Sequence, residues 1–167
     1  MWQWFIAVDA DDSGSISPVE LEQALINGDW SPFSPRTIML LMSLFDPSKS
    51  GKIGFTEFTS LWRYVEQWKG IFKSFDADRS GTIDMKELMH ALKAFGLNVN
   101  QKTAGLCVGK FTHGECVCAK DGTSITFDGF IASCVTVKKL SDAFIALDTD
   151  RDGWVNMSYD LFVDTVI

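Results

Sequence analysis

Seven apolar residues, Phe58, Leu61, Trp62, Val65, Trp68, Phe72 and Phe75, recur three or four positions apart. That spacing is one buried helix face, and it predicts a single unbroken helix over 58–75. Residues 130–147, FIASCVTVKKLSDAFIAL, predict a second helix of the same kind. Ser34 before Pro35 has the form of an N-cap and a first-turn proline, so another helix starts near residue 35. Polar runs punctuate these stretches: DADDSGSISPVE at 9–20, DPSKSGKIGFTE at 46–57, DADRSGTIDMKE at 76–87 and DTDRDGWVNMSY at 148–159. Each carries one apolar residue at its eighth position, namely Ile16, Ile53, Ile83 and Val155. Ile125, followed by Phe127, marks a fifth frame.

The runs at 9–20 and 76–87 share acids at positions 1 and 3, Ser at 5, Gly at 6, Ile at 8 and Glu at 12. This is the EF-hand loop. A calcium ion takes six to eight oxygens at about 2.3–2.6 Å, and this spacing supplies them from one tight turn. Gly at 6 permits the reversal, position 7 offers its carbonyl, position 9 acts through water, and Glu at 12 closes with two oxygens. The expected ligands are therefore Asp9, Asp11, Ser13, Ser15 and Glu20 in loop one. In loop three they are Asp76, Asp78, Ser80, Thr82, Asp84 and Glu87. Loop two keeps Asp46 and Glu57 but has Ser48, Ser50 and Lys52 between them, so it is a weak candidate. Loop five keeps Asp148, Asp150 and Asp152, with Trp154 at position 7, and has Tyr159 where the closing Glu belongs. The fourth frame puts Cys118 at position 1, Lys120 at 3, Gly122 at 5 and Gly129 at 12, and holds no carboxylate at these positions. Two calcium ions (Ca2+), in loops one and three, would take the formal charge from −7 to −3.

The eighth-position residues are spaced by 37, 30, 42 and 30 residues. A spacing of 30 leaves too little chain for two helices and a turn, so loops two and three share one helix, as do loops four and five. The expected fold is all-α: five helix-loop-helix hands at 1–27, 35–66, 66–96, 100–138 and 138–167, with short antiparallel β pairing between loops. Hands pair, so the fifth is left over. Its apolar residues Phe144, Val155, Leu161, Phe162 and Val166, with Leu147, call for the same hand of a second chain, or of a different one.

Composition narrows the function. A charge of −7 and a pI near 4.7 argue against nucleic acid as a partner. No run reaches 18 apolar residues, and MWQWFIAV lacks the basic start of a signal peptide. The four cysteines then fit a reduced, cytoplasmic chain rather than a disulfide framework. His113, Cys116 and Cys118 offer soft ligands, but H-x2-C-x-C lacks the usual CxxC knuckle, and zinc is disfavoured. His90 sits on a helical stretch with no nucleophile or acid paired to it, and no phosphate-cradling loop is present, so an enzyme is not expected.

Five hands with shared helices resemble the penta-EF-hand family. The stretches NGDWSPFSPRT at 27–37, EFTSLWRYVEQW at 57–68, FDGFI at 127–131 and DTDRDGWV at 148–155 are most similar to its apoptosis-linked (programmed-cell-death) and peflin subgroup. The intact loop one agrees with that subgroup. The resemblance implies a calcium sensor-adaptor that dimerises through hand five. It also implies exposure of apolar pockets to Pro-rich segments of trafficking and membrane-repair partners, with reversible calcium-dependent recruitment to membranes. An aromatic pocket near the helix after loop two would involve Phe58, Trp62 and Trp68, with Tyr159. Asn98 stands where animal members carry a basic residue after the FG pair. A regulatory subunit of the calpain-small-chain kind and a calcium buffer are the rival readings.

Overall fold

The computed structural model describes residues 1–112 and 124–166. Eight helices and two short strands are described: α1 (Trp2–Val8), α2 (Pro18–Ala24), α3 (Pro35–Phe45), α4 (Phe55–Phe75), β1 (Ile83–Asp84), α5 (Met85–Ala94), α6 (Gln101–Thr112), β2 (Ser124–Ile125), α7 (Phe127–Leu147) and α8 (Tyr159–Val166). The two shared helices are α4 and α7, each unbroken. Both begin three residues before the expected stretches, and the loop frame explains why. A hand's second helix starts at loop position 10, capped by position 9, with position 12 as its third residue.

Glu at position 12 therefore has two tasks. In loop one, Glu20 Oε2 accepts the Ser17 amide at 2.8 Å while the Ser17 hydroxyl accepts the Glu20 amide. In loop three, Asp84 and Glu87 exchange the same pair of bonds at 2.8 and 3.0 Å. In loop two, Glu57 takes the Gly54 amide at 2.7 Å. Loops one and three thus form capping boxes, and loop two keeps the glutamate half of one because Gly54 has no side chain to return the bond; these contacts fix where α2, α4 and α5 begin. α7 starts at the same frame position with Thr126 as N-cap, although Gly129 replaces the acid. A Cβ at Gly129 would lie 3.3 Å from Ile125 Cβ and 3.5 Å from the Phe111 carbonyl. The end of α6 thus packs where a closing side chain would go.

Ser34 caps α3 as its sequence predicts, accepting the Thr37 amide at 3.1 Å. Loops one and two join through Ile16 and Ile53, whose amides and carbonyls exchange bonds of 2.8 and 3.0 Å. β1 and β2 pair antiparallel, with Ile83 opposite Ile125. All four isoleucines are completely buried and knit the loop pairs into one core with Leu21, Phe58, Leu61, Leu88 and Phe130. The Phe72 ring meets Phe127 and Phe130 edge-on at 5.3 and 5.6 Å, which locks α4 against α7.

A polar cluster ties the two halves together inside this core. Asp128, in the first turn of α7, accepts the Ser34 amide at 2.9 Å, and its own amide donates to Asn27 Oδ1 at 3.0 Å. The Thr126 hydroxyl also donates to the Asp128 carboxylate. The first half of α7 is buried, whereas Leu140, Phe144 and Ile145 in its second half are exposed. Among the described residues no helix is long and apolar enough to cross a membrane.

Candidate functional site

Loop one draws its expected ligands together. Carboxylate oxygens of Asp9, Asp11 and Glu20 all lie within 4.8 Å of one another. Two oxygens on opposite sides of one calcium ion are separated by about that distance. Asp9 is buried and accepts the Ser13 and Gly14 amides at 2.9 and 2.8 Å, while Asp11 accepts the Ser13 amide at 3.0 Å. The Ser13 hydroxyl donates to the Ser15 carbonyl at 2.9 Å, so the position-5 and position-7 oxygens are also adjacent. Glu20 Oε1 accepts the Ala10 amide at 2.9 Å, which folds the closing acid back over the loop. All the donors are oxygens, and most of the charge is carboxylate, the set a hard cation such as calcium requires.

Loop three repeats the arrangement with Asp76, Asp78 and Glu87. Asp76 accepts the Ser80 and Gly81 amides, Asp78 the Ser80 amide, and Glu87 the Ala77 amide at 2.9 Å. The Ser80 hydroxyl donates to the Thr82 carbonyl at 3.0 Å. Asp84 stands apart. Its Oδ1 is occupied as the N-cap of α5, accepting the Lys86 and Glu87 amides at 2.7 and 2.8 Å. The Ser13 hydroxyl and amide hold Asp11 below the usual carboxylate range, and those of Ser80 do the same for Asp78. The Ser17 amide and hydroxyl lower Glu20. These groups are ionised and ready for a cation at neutral pH.

Loop two differs at position 2, where Pro47 has no N–H to give. The clamp that holds Glu20 and Glu87 over their loops is therefore unavailable to Glu57. Asp46 is buried and held below the usual carboxylate range, first by the Ser48 hydroxyl at 2.7 Å. Ser50 donates to the Lys52 carbonyl at 2.8 Å. Only two acids are present, and the second is held by its cap alone. In loop five Asp148, Asp150 and Asp152 cluster within the same 4.8 Å, and the Trp154 amide bonds Asp152 at 2.7 Å. Tyr159, 80% exposed, closes nothing. α8 begins at Tyr159, two residues later than the frame position Met157, with Ser158 Oγ accepting the Leu161 amide at 3.2 Å. His113, Cys116 and Cys118, the disfavoured zinc ligands, lie outside the described residues, as does the side chain of Val166.

Four loops share one backbone signature. Position 4 is left-handed in each, at Asp12, Lys49, Arg79 and Arg151, with φ between 54° and 59°. The glycine at position 6 follows with φ between 77° and 85°.

Of the four expected pocket residues only Phe58 and Trp62 have neighbouring rings, 5.8 Å apart. Phe58 is completely buried in the core. Trp68 packs edge-on against Tyr64, Phe95 and Phe130. Tyr159 is on the outlying α8. Trp62 alone among them lines a cavity of about 450 Å³ between the 24–33 segment and α4, whose walls include Trp30, Val65, Phe72 and Phe127. Asp76 and Gly81 of loop three lie on the same cavity. His90 is exposed, with its ring edge on Phe75 at 5.7 Å. Phe144, Leu161 and Phe162 are exposed and Val155 is half-buried, so the apolar face of hand five stays open.

A family model described as an EF-hand domain pair matches residues 1–63, and one described as an EF-hand domain matches 67–96. Sorcin from Mus musculus is 37% identical over 172 residues, covering all of this chain and 82% of sorcin. The chain belongs to the penta-EF-hand family. Peflin from Mus musculus is 37% identical over 97% of this penta-EF-hand chain, which spans only 57% of peflin's length. A calcium-binding protein from Oryza sativa is 41% identical over 98% of the chain and 54% of its own length. A solved structure of a programmed cell death 6 homolog from Leishmania major superposes with a TM-score of 0.79 at 30% identity, covering 98% of this chain and 86% of the other. Calcium binding is accordingly the property of this penta-EF-hand chain, with the acidic clusters placed in its loops.

Two features of this penta-EF-hand chain are absent from a ligand-by-ligand reading of the loops. One is the clamp from the position-2 amide, whose signal was present as Pro47 against Ala10 and Ala77. The other is the Asn27–Asp128–Ser34 cluster. Its members are 94 and 101 residues apart, and no local pattern links them.

Proposed function

We propose that this chain is a calcium sensor-adaptor in which loops one and three take the ions and the cavity beside α4 receives a segment of a partner protein. The observation that carries the reading is the position of Asp76, the first acid of loop three and part of the cavity wall. A bound calcium ion supplies a concentrated positive charge. Asp76, Asp78 and Glu87 would close on it, and Glu87 would draw the first turn of α5 with it. A loop that shares a wall with the cavity thereby changes the cavity's shape and charge. This is a differential affinity of the ion for one conformation, the requirement for a switch.

By family resemblance the partner segments are Pro-rich and belong to trafficking or membrane-repair proteins. The chain would act in the cytoplasm with calcium-dependent recruitment to membranes. The open apolar face of hand five supports a homodimer or a heterodimer through that hand; a heterologous partner there would give the regulatory-subunit reading.

The test is twofold. Fluorescence of a hydrophobic dye should rise on adding calcium and fall on chelation. A pull-down from lysate with and without calcium should then retain defined partners only with the ion. A chain that binds calcium with no dye response and no calcium-dependent partner is a buffer, and the adaptor reading fails. Glu87→Gln should abolish the dye response if loop three is the trigger.

A further inference from the structure

Hand four holds no carboxylate at its ligand positions, yet the start of its second helix is tied to both halves of the chain. On one side β2 pairs with loop three, Ile125 opposite Ile83 and Ser124 opposite Asp84. Thr126 follows at once as the N-cap of α7, and its hydroxyl donates to Asp128 Oδ1. On the other side Asp128 reaches the segment that joins α2 to α3. Its amide donates to Asn27 Oδ1 at 3.0 Å, its Oδ2 accepts the Ser34 amide at 2.9 Å, and its carbonyl accepts the Thr37 hydroxyl at 3.5 Å. Asn27 in turn holds the turn that follows it. Its amide donates to the Ser31 carbonyl at 2.8 Å, and its Nδ2 donates to Ser31 Oγ at 3.1 Å and to the Pro32 carbonyl at 3.3 Å.

Burial makes this line of contacts stiff. Ile83, Ile125, Thr126, Asp128, Asn27 and Ser34 are all buried. A bond broken here strands a buried polar group, which costs more than moving both partners together. Aromatic packing acts in the same direction: the Phe127 ring meets Phe33 edge-on at 5.7 Å, and Phe33 belongs to the joining segment. The tip of the turn is different. Trp30 is 80% exposed there, with a left-handed φ of 68°, so little packing of its own fixes where the tip stands.

We infer that hand four is a relay, and that Asp128 is the positioning residue through which the state of loop three reaches the turn at 27–34. An ion in loop three shifts β1, β2 follows through the ladder, and Asp128 carries the shift to Asn27 and Ser34. That turn forms one wall of the cavity beside α4. The inference rests on the reading that loop three takes calcium, and it adds how the fourth hand takes part in the response.

The experiment uses the whole chain with fluorine-labelled tryptophan, in which fluorine NMR follows each indole and Trp30→Phe identifies the Trp30 line. The background is Glu20→Gln, which weakens loop one but keeps the cap of α2, so that calcium enters loop three. Calcium should shift the Trp30 line, and Glu87→Gln should abolish that shift. Asp128→Ala should remove at least about half of it, while calorimetry counts the same ions at an affinity within about threefold. Asp128→Asn, which keeps an acceptor for the Ser34 amide, should restore the shift. Thr126→Val is the milder cut if Asp128→Ala does not fold, and it too should reduce the shift. A full Trp30 shift in the folded cut variant, or in Glu87→Gln, overturns the relay. An Asp128→Ala chain that loses an ion, or an Asp128→Asn chain that behaves like it, marks a merely structural residue and overturns the relay as well. A Trp30 line that ignores calcium while calcium binds overturns the relay and leaves the calcium reading of loop three intact. A chain that binds no calcium removes that reading, and the relay with it.

Discussion

Single residues set how nearly each loop completes the calcium-binding frame. In loops one and three the position-2 amides of Ala10 and Ala77 anchor the closing glutamate at 2.9 Å, and Pro47 denies loop two that anchor. Pro47→Ala combined with Ser48→Asp should therefore add one calcium ion per chain in titration calorimetry. Ser48→Asp alone should bind roughly tenfold more weakly than the pair, and equal affinities would show that the amide is irrelevant. A second residue-scale consequence concerns alkaline pH. Burial, helped by nearby Cys107, pushes the Cys134 thiol up to about 12, above the ordinary value of 9.0. Its folded value is raised, so the stability it contributes is fully present below about pH 9 and is lost as pH rises toward 12. The Tm should fall across that window, and Cys134→Ala should flatten the decline whatever it does to the Tm at neutral pH. An unchanged slope would exclude Cys134 as its source.

The helices follow from the loops at the next scale. Where Glu stands at position 12, it takes the position-9 amide and the second helix starts at position 10, as in α2, α4 and α5, and in α2 and α5 the position-9 side chain completes a capping box. Hand five lacks the box, and α8 starts two residues late. Tyr159→Glu should restore both functions of that position, placing Glu opposite Asn156 and closing the acids at 148–152. Calorimetry should then count one more ion, and helical circular dichroism should rise when it binds; an unchanged stoichiometry would locate the defect elsewhere in the hand. Much of this was legible in the sequence. The spacing of Ile16, Ile53, Ile83 and Ile125 disclosed the pairing of loops and the two shared helices. The ligand frame disclosed the acidic clusters. What escaped it depends on contacts between distant segments: the cavity wall shared by Trp30 and Asp76, and the meeting of Asn27, Ser34 and Asp128. The fourth loop was read as lacking ligands. The close fit of Gly129 against Phe111 supplies a packing reason that no count of acids reveals.

At the scale of the whole molecule, hand five presents an exposed apolar face. Phe144, Ile145, Leu161 and Phe162 are 40–63% exposed on one terminal hand, a cost that association relieves. Sedimentation should give about twice the 18.6 kDa of the chain, and Ile145→Glu with Phe162→Glu should return the single-chain mass. A wild-type chain that sediments as one copy would instead point to a different protein as the partner of this hand.

The unbroken span of α4 carries one more consequence. At 21 residues it is a rod about 31 Å long with loop two at one end and loop three at the other. A rod does not bend to suit two masters. A tilt of about 10° at one end sweeps the other by roughly 5 Å, several times the tolerance of an ion's oxygen shell. Loop one, bridged to loop two through Ile16 and Ile53, thus sits on one arm of a lever whose other arm is loop three. On the proposal that loops one and three take the ions, filling either site would set the pitch of the arm at the other, and the two calcium ions would be felt as a joint signal rather than as separate ones.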